Sequence, residues 1–215
     1  MKFDNVKYQN QMISVDASLL AIKDYKLCVL LLKRSQEPYK DMWSLIGGGV
    51  YNNETCENAV KRELKEKLDI TGIAPILGGV FSEPKRDIRF RNISISYYCL
   101  VNADNLHFEE NSDKVEEVKW FYVDNLPKLA FDHGIILQKS LDLVKEKAFD
   151  MDFIKNYIPT PFSLARLQEI YESILGTELD KRNFRRKITS LNCLKATGLK
   201  SETDLRKKSA LYTFK

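Results

Sequence analysis

The sequence predicts a two-part protein, with an α/β or α+β sandwich over residues 1–148 and a small helix-turn-helix unit over residues 162–215. Three observations support this division. The first part alternates short apolar strands with two amphipathic helices, an order typical of a layered sandwich. Pro159 and Pro161 indicate an extended linker, which we place at residues 149–161. The last third is basic, with 13 Lys and Arg against 7 Asp and Glu in residues 151–215.

The composition is that of a globular protein, with 44% hydrophobic and 30% charged residues. The amino-terminal residues lack the apolar stretch of a signal peptide, and the longest apolar runs, such as residues 27–32, are too short to span a bilayer. Cys28, Cys56, Cys99 and Cys193 stand singly, without the spacing of a zinc or redox site. We therefore expect free thiols in a reducing cytoplasm.

Four segments of the first part are predicted strands. Residues 17–22 and 26–33 are short, apolar and separated by a polar turn at Asp24, as in a hairpin. In residues 92–101 apolar side chains alternate with serines before the segment becomes fully apolar, a pattern typical of a strand that runs into the core. Residues 115–123 form the fourth predicted strand and end in three aromatic residues before a valine.

Two predicted helices interrupt these strands. Residues 54–68 place apolar side chains such as Val60 and Leu64 four positions apart, with charges around the rest of the helix. Residues 133–148 also show one apolar face, and Asp132 is the predicted N-cap of that helix. Both helices therefore have one face suited to packing on the predicted sheet.

The basic last third has the capping signals of a helix-turn-helix. Ser163 is placed to cap a first helix, and Gly176 is placed to end it. Asp180 is placed to cap a second helix over residues 181–191. Two short helices joined by a tight turn that contains glycine are typical of this motif.

The second helix of this unit presents two different faces. Phe184, Ile188 and Leu191 share the face predicted to pack on the first helix. The opposite face carries arginines, whose planar forks can bond guanine bidentately or bind phosphate. Two short strands, predicted at residues 193–197 and 210–214, enclose a basic loop suited to contact phosphates as a wing. A solvated amphipathic helix is the alternative for such a charge run. The residues predicted to bind DNA are Lys181, Arg182, Arg185, Arg186, Thr189, Arg206, Lys207 and Lys208.

The centre of the first part carries a motif of defined spacing. Gly48, Glu54, Arg62, Glu63 and Glu66 follow the pattern G-x5-E-x7-R-E-U-x-E-E-x-G-U, in which U is a bulky aliphatic residue. This pattern resembles the Nudix box. Glutamates at i, i+3 and i+4 of one helix project together, and such carboxylates hold Mg2+ ions that bind a diphosphate and activate water. The resemblance implies the α+β Nudix fold, an α/β/α sandwich with a mixed sheet.

Two positions depart from the box. Lys67 stands where the family has its last metal-binding glutamate, and Asp69 replaces the box glycine. An ammonium beside Glu63 and Glu66 repels a divalent cation and can neutralise those carboxylates. We therefore expect no catalytic residue and no cofactor. If residual hydrolase activity survives, Mg2+ is expected at Glu63 and Glu66.

The chain from about residue 12 to residue 215 resembles the Nudix-related transcriptional regulators of the NrtR and AraR type. The matching segments are LLLKRSQEPYKDMWSLIGG, LAFDH at residues 129–133, and PFSLARLQEIYESILGTELDKRNFRRK with a final ALYTF. The resemblance implies a winged helix, a homodimer that binds a palindromic DNA operator, and a small-molecule effector: ADP-ribose, a related nucleotide sugar, or a sugar such as arabinose. The alternative is a Nudix pyrophosphohydrolase acting on ADP-ribose or a similar nucleoside diphosphate derivative.

An arginine-rich segment at residues 86–91 falls where ADP-ribose-sensing relatives have a similar stretch. Its arginines are suited to hold a diphosphate, and a solvated loop is the alternative. His133 is either part of the first turn of its helix or a catalytic base. The residues predicted to bind the ligand are Arg62, Glu63, Lys67, Arg86, Arg89 and Arg91.

Overall fold

A computed structural model describes residues 11–103, 106, 108, 115–201 and 208–215. A large mixed β-sheet with helices forms the first unit, and a three-stranded sheet with two helices forms the second. Within these residues, no helix combines the length and the apolar character needed to cross a membrane. The α+β sandwich followed by a winged helix, expected from the sequence, is confirmed.

A seven-stranded mixed sheet forms the centre of the first unit. Its strands are β1 (Met12–Lys23), β2 (Lys26–Arg34), β3 (Trp43–Ser44), β4 (Ile46–Gly49), β5 (Ile76–Phe81), β6 (Asn92–Asn102) and β7 (Val115–Tyr122). The main order is β3-β2-β1-β6-β5, while β7 pairs with β2 and β4 pairs with β1. Only the β1–β6 pair is parallel among these described strands. The hairpin and the other two predicted strands are confirmed, whereas β3, β4 and β5 were not predicted because they are very short or rich in glycine.

Helices pack against the buried residues on both faces of this sheet. One is α1 (Cys56–Leu68) and the other is α2 (His133–Glu146). Leu19 of β1 belongs to the buried cluster that contains α1, whereas its neighbour Leu20 belongs to the cluster that contains α2. Successive side chains of a strand point to opposite faces. Burial on both faces therefore explains why β1 is apolar without interruption from Leu19 to Ile22.

The ends of α1 and α2 are built differently. The Thr55 hydroxyl caps α1 by accepting from the Asn58 N–H at 3.2 Å. Asp69 ends α1 in the left-handed region at φ 54°, which glycine adopts most readily and aspartate tolerates. Asp132 is the N-cap residue of α2 as predicted, but its side chain makes no hydrogen bond to the helix backbone. Arg86 engages that carboxylate instead, at 2.7 and 2.9 Å.

The segment between the two units is more structured than a simple linker. It contains α3 (Met151–Ile154) and a short 3-10 helix, Lys155–Tyr157. Ile154 and Ile158 are buried and join the same cluster as α2. Ile158 has an extended backbone, as expected for a residue that precedes proline. The segment predicted as a linker therefore takes part in the core.

The second unit has the helices and strands of a winged helix. Ser163 is confirmed as the N-cap of its first helix, since its hydroxyl accepts a hydrogen bond from the Arg166 N–H at 3.3 Å. The Asp180 carboxylate caps the second helix at 2.8 Å. Phe184 and Ile188 are buried as predicted, but Leu191 is 38% exposed, because the helix ends one residue before it. The elements are β8 (Phe162–Ser163), α4 (Leu164–Leu175), α5 (Lys181–Ser190), β9 (Leu194–Lys200) and β10 (Ala210–Phe214).

The two units share one hydrophobic core. A single cluster of buried side chains contains Leu27 of β2 together with Phe184 of α5. The Leu27 N–H also donates to the Ser173 hydroxyl of α4 at 2.8 Å. At the β1–β2 turn, the Tyr25 ring lies 4.7 Å from the guanidinium of Arg166 on α4. The winged helix is therefore packed against the β1–β2 hairpin. The opposite end of this hairpin, with Met12 and Arg34, lines a cavity of the first unit.

Candidate functional site

A cavity of about 440 Å3 opens where the start of β1, the end of β2 and the glycine-rich β4 meet. One face of α1, the loop before β6 and the start of α2 complete its wall. Its aromatic lining residues are Tyr51, Phe90 and Phe131. Its charged and titratable lining residues are Asp16, Arg34, Glu37, Glu63, Glu66, Lys67, Arg86, Asp87, Arg89 and His133.

The residues predicted to bind the ligand are only partly brought together. Glu63, Lys67, Arg86 and Arg89 line the cavity. Arg62 lies behind Glu63 and donates to it at 2.7 Å. Arg91 is not among the described residues that line the cavity. Its guanidinium donates instead to the Ser82 carbonyl oxygen at 2.8 Å.

Glu63 is enclosed by two cations. Its Oε1 atom lies 2.7 Å from Arg62 Nη1, and its Oε2 atom lies 2.9 Å from Lys67 Nζ. The Lys67 ammonium also donates to the Gly47 carbonyl oxygen. A Cβ atom at Gly48 would overlap this carboxylate, so the box glycine lets the strand approach Glu63 closely. Both oxygens of the central carboxylate are therefore engaged by the protein itself.

Arg62 organises the rest of the box. Its guanidinium donates to Glu54 at 2.8 Å and to the Gly49 carbonyl at 2.8 Å, and it lies 3.2 Å from Glu66. The Tyr51 ring stacks 3.9 Å from it. The hydrogen bonds to Glu54 and Glu63 raise the pKa of Arg62 further above its ordinary value, although burial opposes this.

These residues do not fit a Mg2+ centre. Magnesium needs carboxylate oxygens that are free to coordinate it in octahedral geometry. Here both oxygens of Glu63 are ion-paired, and Lys67 adds a positive charge beside them. Across the described part of the chain, no three His, Cys, Asp or Glu side chains are arranged to hold a metal ion.

A buried polar network lies under the cavity. The Asp16 carboxylate lies 2.5 Å from the Ser94 hydroxyl, 3.3 Å from Arg86 Nη2 and 3.3 Å from His133 Nε2. The Leu45 N–H donates to His133 Nδ1 at 2.9 Å, so that ring nitrogen carries no proton. Burial alone would raise the pKa of Asp16, but His133, Ser94 and Arg86 lower it well below its ordinary range.

This network shows what His133 and Arg86, two predicted site residues, contact within the protein. His133 is the first residue of α2, and both of its ring nitrogens have protein partners. Arg86 is buried and shared between Asp16 and Asp132. Both ring nitrogens of His133 are therefore engaged by the protein, whereas the contacts of Arg86 to Asp16 and Asp132 are made through its Nε and Nη2 atoms.

Sequence reasoning missed Arg34 and Phe131 as site residues. Arg34 ends β2, and its guanidinium lies 5.0 Å from the Phe131 ring in the cavity. Phe131 has a left-handed backbone, φ 52°, just before α2. Both residues stand in segments that carry the family resemblance, LLLKRSQEPYKDMWSLIGG and LAFDH, but nothing local in the sequence brings them together.

The second candidate site is the exposed face of α5. Lys181, Arg182, Arg185, Arg186 and Thr189 are all exposed, opposite the two buried side chains of the helix. Arg186 donates to the neighbouring Asn183 at 3.1 Å, and no described carboxylate forms an ion pair with these cations. The structure thus gathers five of the predicted DNA-binding residues on one face. Of the predicted wing residues, Lys208 is exposed, whereas Arg206 and Lys207 lie outside the described residues.

Sequence comparisons match both units to known families. A NUDIX domain profile matches residues 12–140, and an NrtR DNA-binding winged helix domain profile matches residues 154–214. The chain is 30% identical over 211 residues to the ADPR responsive transcriptional repressor NtrR of Acinetobacter baylyi, which covers 96% of this chain and 81% of the relative. It is 39% identical over 131 residues to the ADP-ribose pyrophosphatase of Methanocaldococcus jannaschii, which covers 61% of this chain and 73% of that enzyme.

Solved structures agree with this assignment. Shewanella oneidensis NrtR superposes with a TM-score of 0.70 at 28% identity, covering 95% of this chain and 94% of that chain. Its complex with a 27mer DNA gives 0.69 at 27% identity, covering 94% and 93%. Its NUDIX domain with ADP ribose gives 0.60 at 27% identity, covering 66% and 94%. Since the similarity extends over both units and nearly the whole length, this chain belongs to the family of Nudix-related transcriptional regulators of the NrtR type.

Proposed function

We propose that this protein is a transcriptional repressor that binds DNA through its winged helix and responds to ADP-ribose through its Nudix unit. The observation that carries the proposal is a contrast: the box carboxylate Glu63 is ion-paired with Arg62 and Lys67, whereas helix α5 carries exposed arginines that form no ion pair with a described carboxylate. Full-length similarity to the ADPR responsive repressor of A. baylyi supports it.

The chemistry of the cavity suits a nucleoside diphosphate sugar. Ligand pockets combine apolar and aromatic walls with a few placed polar groups. This cavity offers a partly exposed cation, Arg89, for a diphosphate and aromatic rings such as Phe90 for a base or a sugar face. We place ligand binding there without a metal ion, because Glu63 is already neutralised by its two partners.

The exposed face of α5 suits the major groove of DNA. In a helix-turn-helix the second helix enters that groove, and its amino-terminal residues meet base edges. Arg182 and Arg186 are one turn apart on that face. One such helix reads few base pairs, so we propose a homodimer that binds a palindromic operator. A repressor acts where the chromosome is, and we therefore place the protein in the cytoplasm.

Hydrolysis of ADP-ribose is the rival function, and the similarity to the M. jannaschii pyrophosphatase favours it. Against it, Lys67 occupies the position of a metal ligand and forms an ion pair with Glu63. We expect no Mg2+-dependent or Mn2+-dependent release of AMP from ADP-ribose. Turnover of ADP-ribose by the wild type that disappears in Glu63→Gln would show that the protein is an ADP-ribose hydrolase.

The direct test selects a binding site from a random duplex library with the full-length protein. Fluorescence anisotropy then follows the selected duplex while ADP-ribose is added. We expect specific binding that weakens as ADP-ribose rises and does not respond to arabinose. The control is Lys61→Ala, an exposed change on α1 away from both sites. Absence of any selected sequence at low salt would rule out the DNA-binding proposal.

A further inference from the structure

Two guanidinium groups converge on one aromatic ring in the cavity. The Cζ atom of Arg34 lies 5.0 Å from the centre of the Phe131 ring, and the Cζ atom of Arg89 lies 5.6 Å from it. Arg34 belongs to β2, Arg89 to the loop before β6 and Phe131 to the segment just before α2, and all three line the cavity. We call these three residues the arginine–phenylalanine cluster.

Arg34 has no carboxylate partner among the described residues. Its guanidinium donates to the Pro38 carbonyl at 2.9 Å and to the Gln36 carbonyl at 3.1 Å. Burial and then the charge of Arg89 lower the pKa of Arg34, while Asp87 and Glu37 act in the opposite direction. The fold therefore fixes the position of this cation without pairing it with an anion.

Arg89 is held ready by a different device. Asp87, whose side chain is 3% exposed, receives two parallel hydrogen bonds from it, Nε to Oδ1 at 2.9 Å and Nη2 to Oδ2 at 2.7 Å. This bidentate pair fixes the plane of the guanidinium. The Arg89 side chain nevertheless stays 45% exposed. Its remaining N–H donors are available to a ligand in the cavity.

Lys67 is the contrasting cation of the same cavity. Its ammonium already contacts the Glu63 carboxylate and the Gly47 carbonyl. A compact ammonium with these partners has little left to offer an anion.

The guanidinium groups of Arg34 and Arg89 are like charges that the fold holds near each other, and this proximity costs energy. An anion that bridges them with oxygens on two phosphorus atoms relieves that cost.

We propose that Arg34 and Arg89 together bind the diphosphate of the effector, on the β2 side of the cavity and away from the box helix α1. This inference rests on the proposed function and adds to it the residues that select the ligand. A neutral sugar cannot compensate the two cations. The cluster therefore restricts the effector to diphosphate compounds and excludes free sugars such as arabinose.

The test compares Arg34→Met, Arg34→Lys, Arg89→Met and Lys67→Met by titration calorimetry with ADP-ribose. Each methionine change in the cluster is expected to weaken ADP-ribose binding by about 10- to 100-fold, the loss of a charge-assisted pair of hydrogen bonds. Arg34→Lys keeps the charge without the fork and should fall in between. Lys67→Met should change the affinity less than about threefold, since its charge is already compensated.

Adenosine separates diphosphate recognition from general damage. It has no phosphate, so any binding of adenosine should be equal in the wild type and in Arg34→Met. Equal losses for ADP-ribose and adenosine would overturn the proposal, as would wild-type affinity for ADP-ribose in Arg34→Met. A larger loss in Lys67→Met than in Arg34→Met would move the diphosphate to α1 and also overturn it.

Inorganic pyrophosphate distinguishes failure of this proposal from failure of the proposed function. If the wild type binds pyrophosphate and Arg34→Met does not, the cluster is a diphosphate site whichever nucleotide sugar is the effector. If the wild type binds ADP-ribose but DNA affinity does not respond to it, the regulatory function is wrong while the diphosphate site stands. If pyrophosphate binds both proteins equally, the cluster is not the diphosphate site.

Discussion

Helices α1 and α5 carry similar densities of charge and use it in opposite ways. On α1, Arg62, Glu63 and Lys67 form a closed set in which each charge has a partner from the protein. On α5, Arg182 and Arg185 are exposed and have no ion pair with a described carboxylate. A closed set fixes the local structure, whereas an open set needs an external polyanion to be neutralised.

The contrast shows how a Nudix scaffold can change its use without changing its shape. Lys67 stands where the family has a metal-binding glutamate, and here it contacts the Glu63 carboxylate and the Gly47 carbonyl oxygen. The helix keeps its apolar contacts, because Val60, Leu64 and Leu68 remain buried on its other face. Fold and chemistry therefore separate cleanly along the two faces of α1.

The largest effect on stability is expected from removing one carboxylate of the buried ion-pair network beneath the cavity. Asp16→Asn leaves Arg86 buried with one carboxylate partner in place of two. Removing one partner of a buried ion pair typically costs about 3–5 kcal/mol, so we expect a loss near the lower end of that range because Asp132 remains. Urea denaturation at neutral pH measures this change. An unchanged unfolding midpoint would show that the network contributes nothing to stability.

The same residue predicts how stability depends on pH. The folded pKa of Asp16 lies below its ordinary value of 3.8. Its contribution is therefore complete above that value and is lost as the pH falls below it, since the unfolded chain then takes up the proton first. Denaturation midpoints of the wild type should fall through this acid range. Those of Asp16→Asn should fall less steeply, and parallel curves would contradict the assignment.

The second effect removes charges from the open set on α5. Arg182→Ala and Arg186→Ala should each weaken binding to the selected operator by about 1–3 kcal/mol if they contact bases. Both residues are exposed, so the melting temperature should stay unchanged. Anisotropy titrations at several salt concentrations provide the measurement. Equal weakening on operator and random duplexes would assign the two arginines to phosphates instead.

A smaller effect is expected from opening the closed set on α1. Lys67→Ala leaves Glu63 paired with Arg62 alone. Losing a charge-assisted hydrogen bond while one partner remains should cost about 1–2 kcal/mol. For a chain of this size that corresponds to roughly 2–8 °C in Tm. A gain in Tm would mean that the lysine is held at a cost to stability.

The smallest effect comes from an exposed pair on the same helix. Lys61 contacts Glu57 at 2.6 Å, and both side chains are about half exposed. Exposed pairs at this spacing contribute about 0.3–0.5 kcal/mol, so Lys61→Ala should barely change the unfolding midpoint. This variant calibrates the comparison with Lys67→Ala. A loss as large as that of Lys67→Ala would mean that burial does not set the difference between the two lysines.

Much of this architecture could be predicted from periodicity and capping. Ser163 and Asp180 cap helices as expected because an N-cap is a local interaction among residues close in sequence. Asp132 has the same local pattern, yet it binds Arg86, 46 positions away. A sequence window carries no information about such a distant competitor.

The candidate site follows the same rule. The partnership of Glu63 and Lys67 could be foreseen because residues four apart on a helix are neighbours. The meeting of Arg34, Arg89 and Phe131 could not, since it depends on how β2, a loop and α2 converge in space. The exposure of Leu191 was missed for a smaller reason, which is that helix ends are uncertain by a residue or two.

The hydrophobic core that runs from Leu27 to Phe184 also bears on modularity. Winged helices are often treated as detachable parts that can be exchanged between sensors. Here, cutting the chain before Met151 would strip the cover from the apolar side chains of β2 and leave Ile154 and Ile158 without their packing partners. Each of the two fragments would then expose an apolar patch that favours aggregation. A chimaera with another regulator would have to include the β1–β2 hairpin along with the winged helix, because the two share one hydrophobic core.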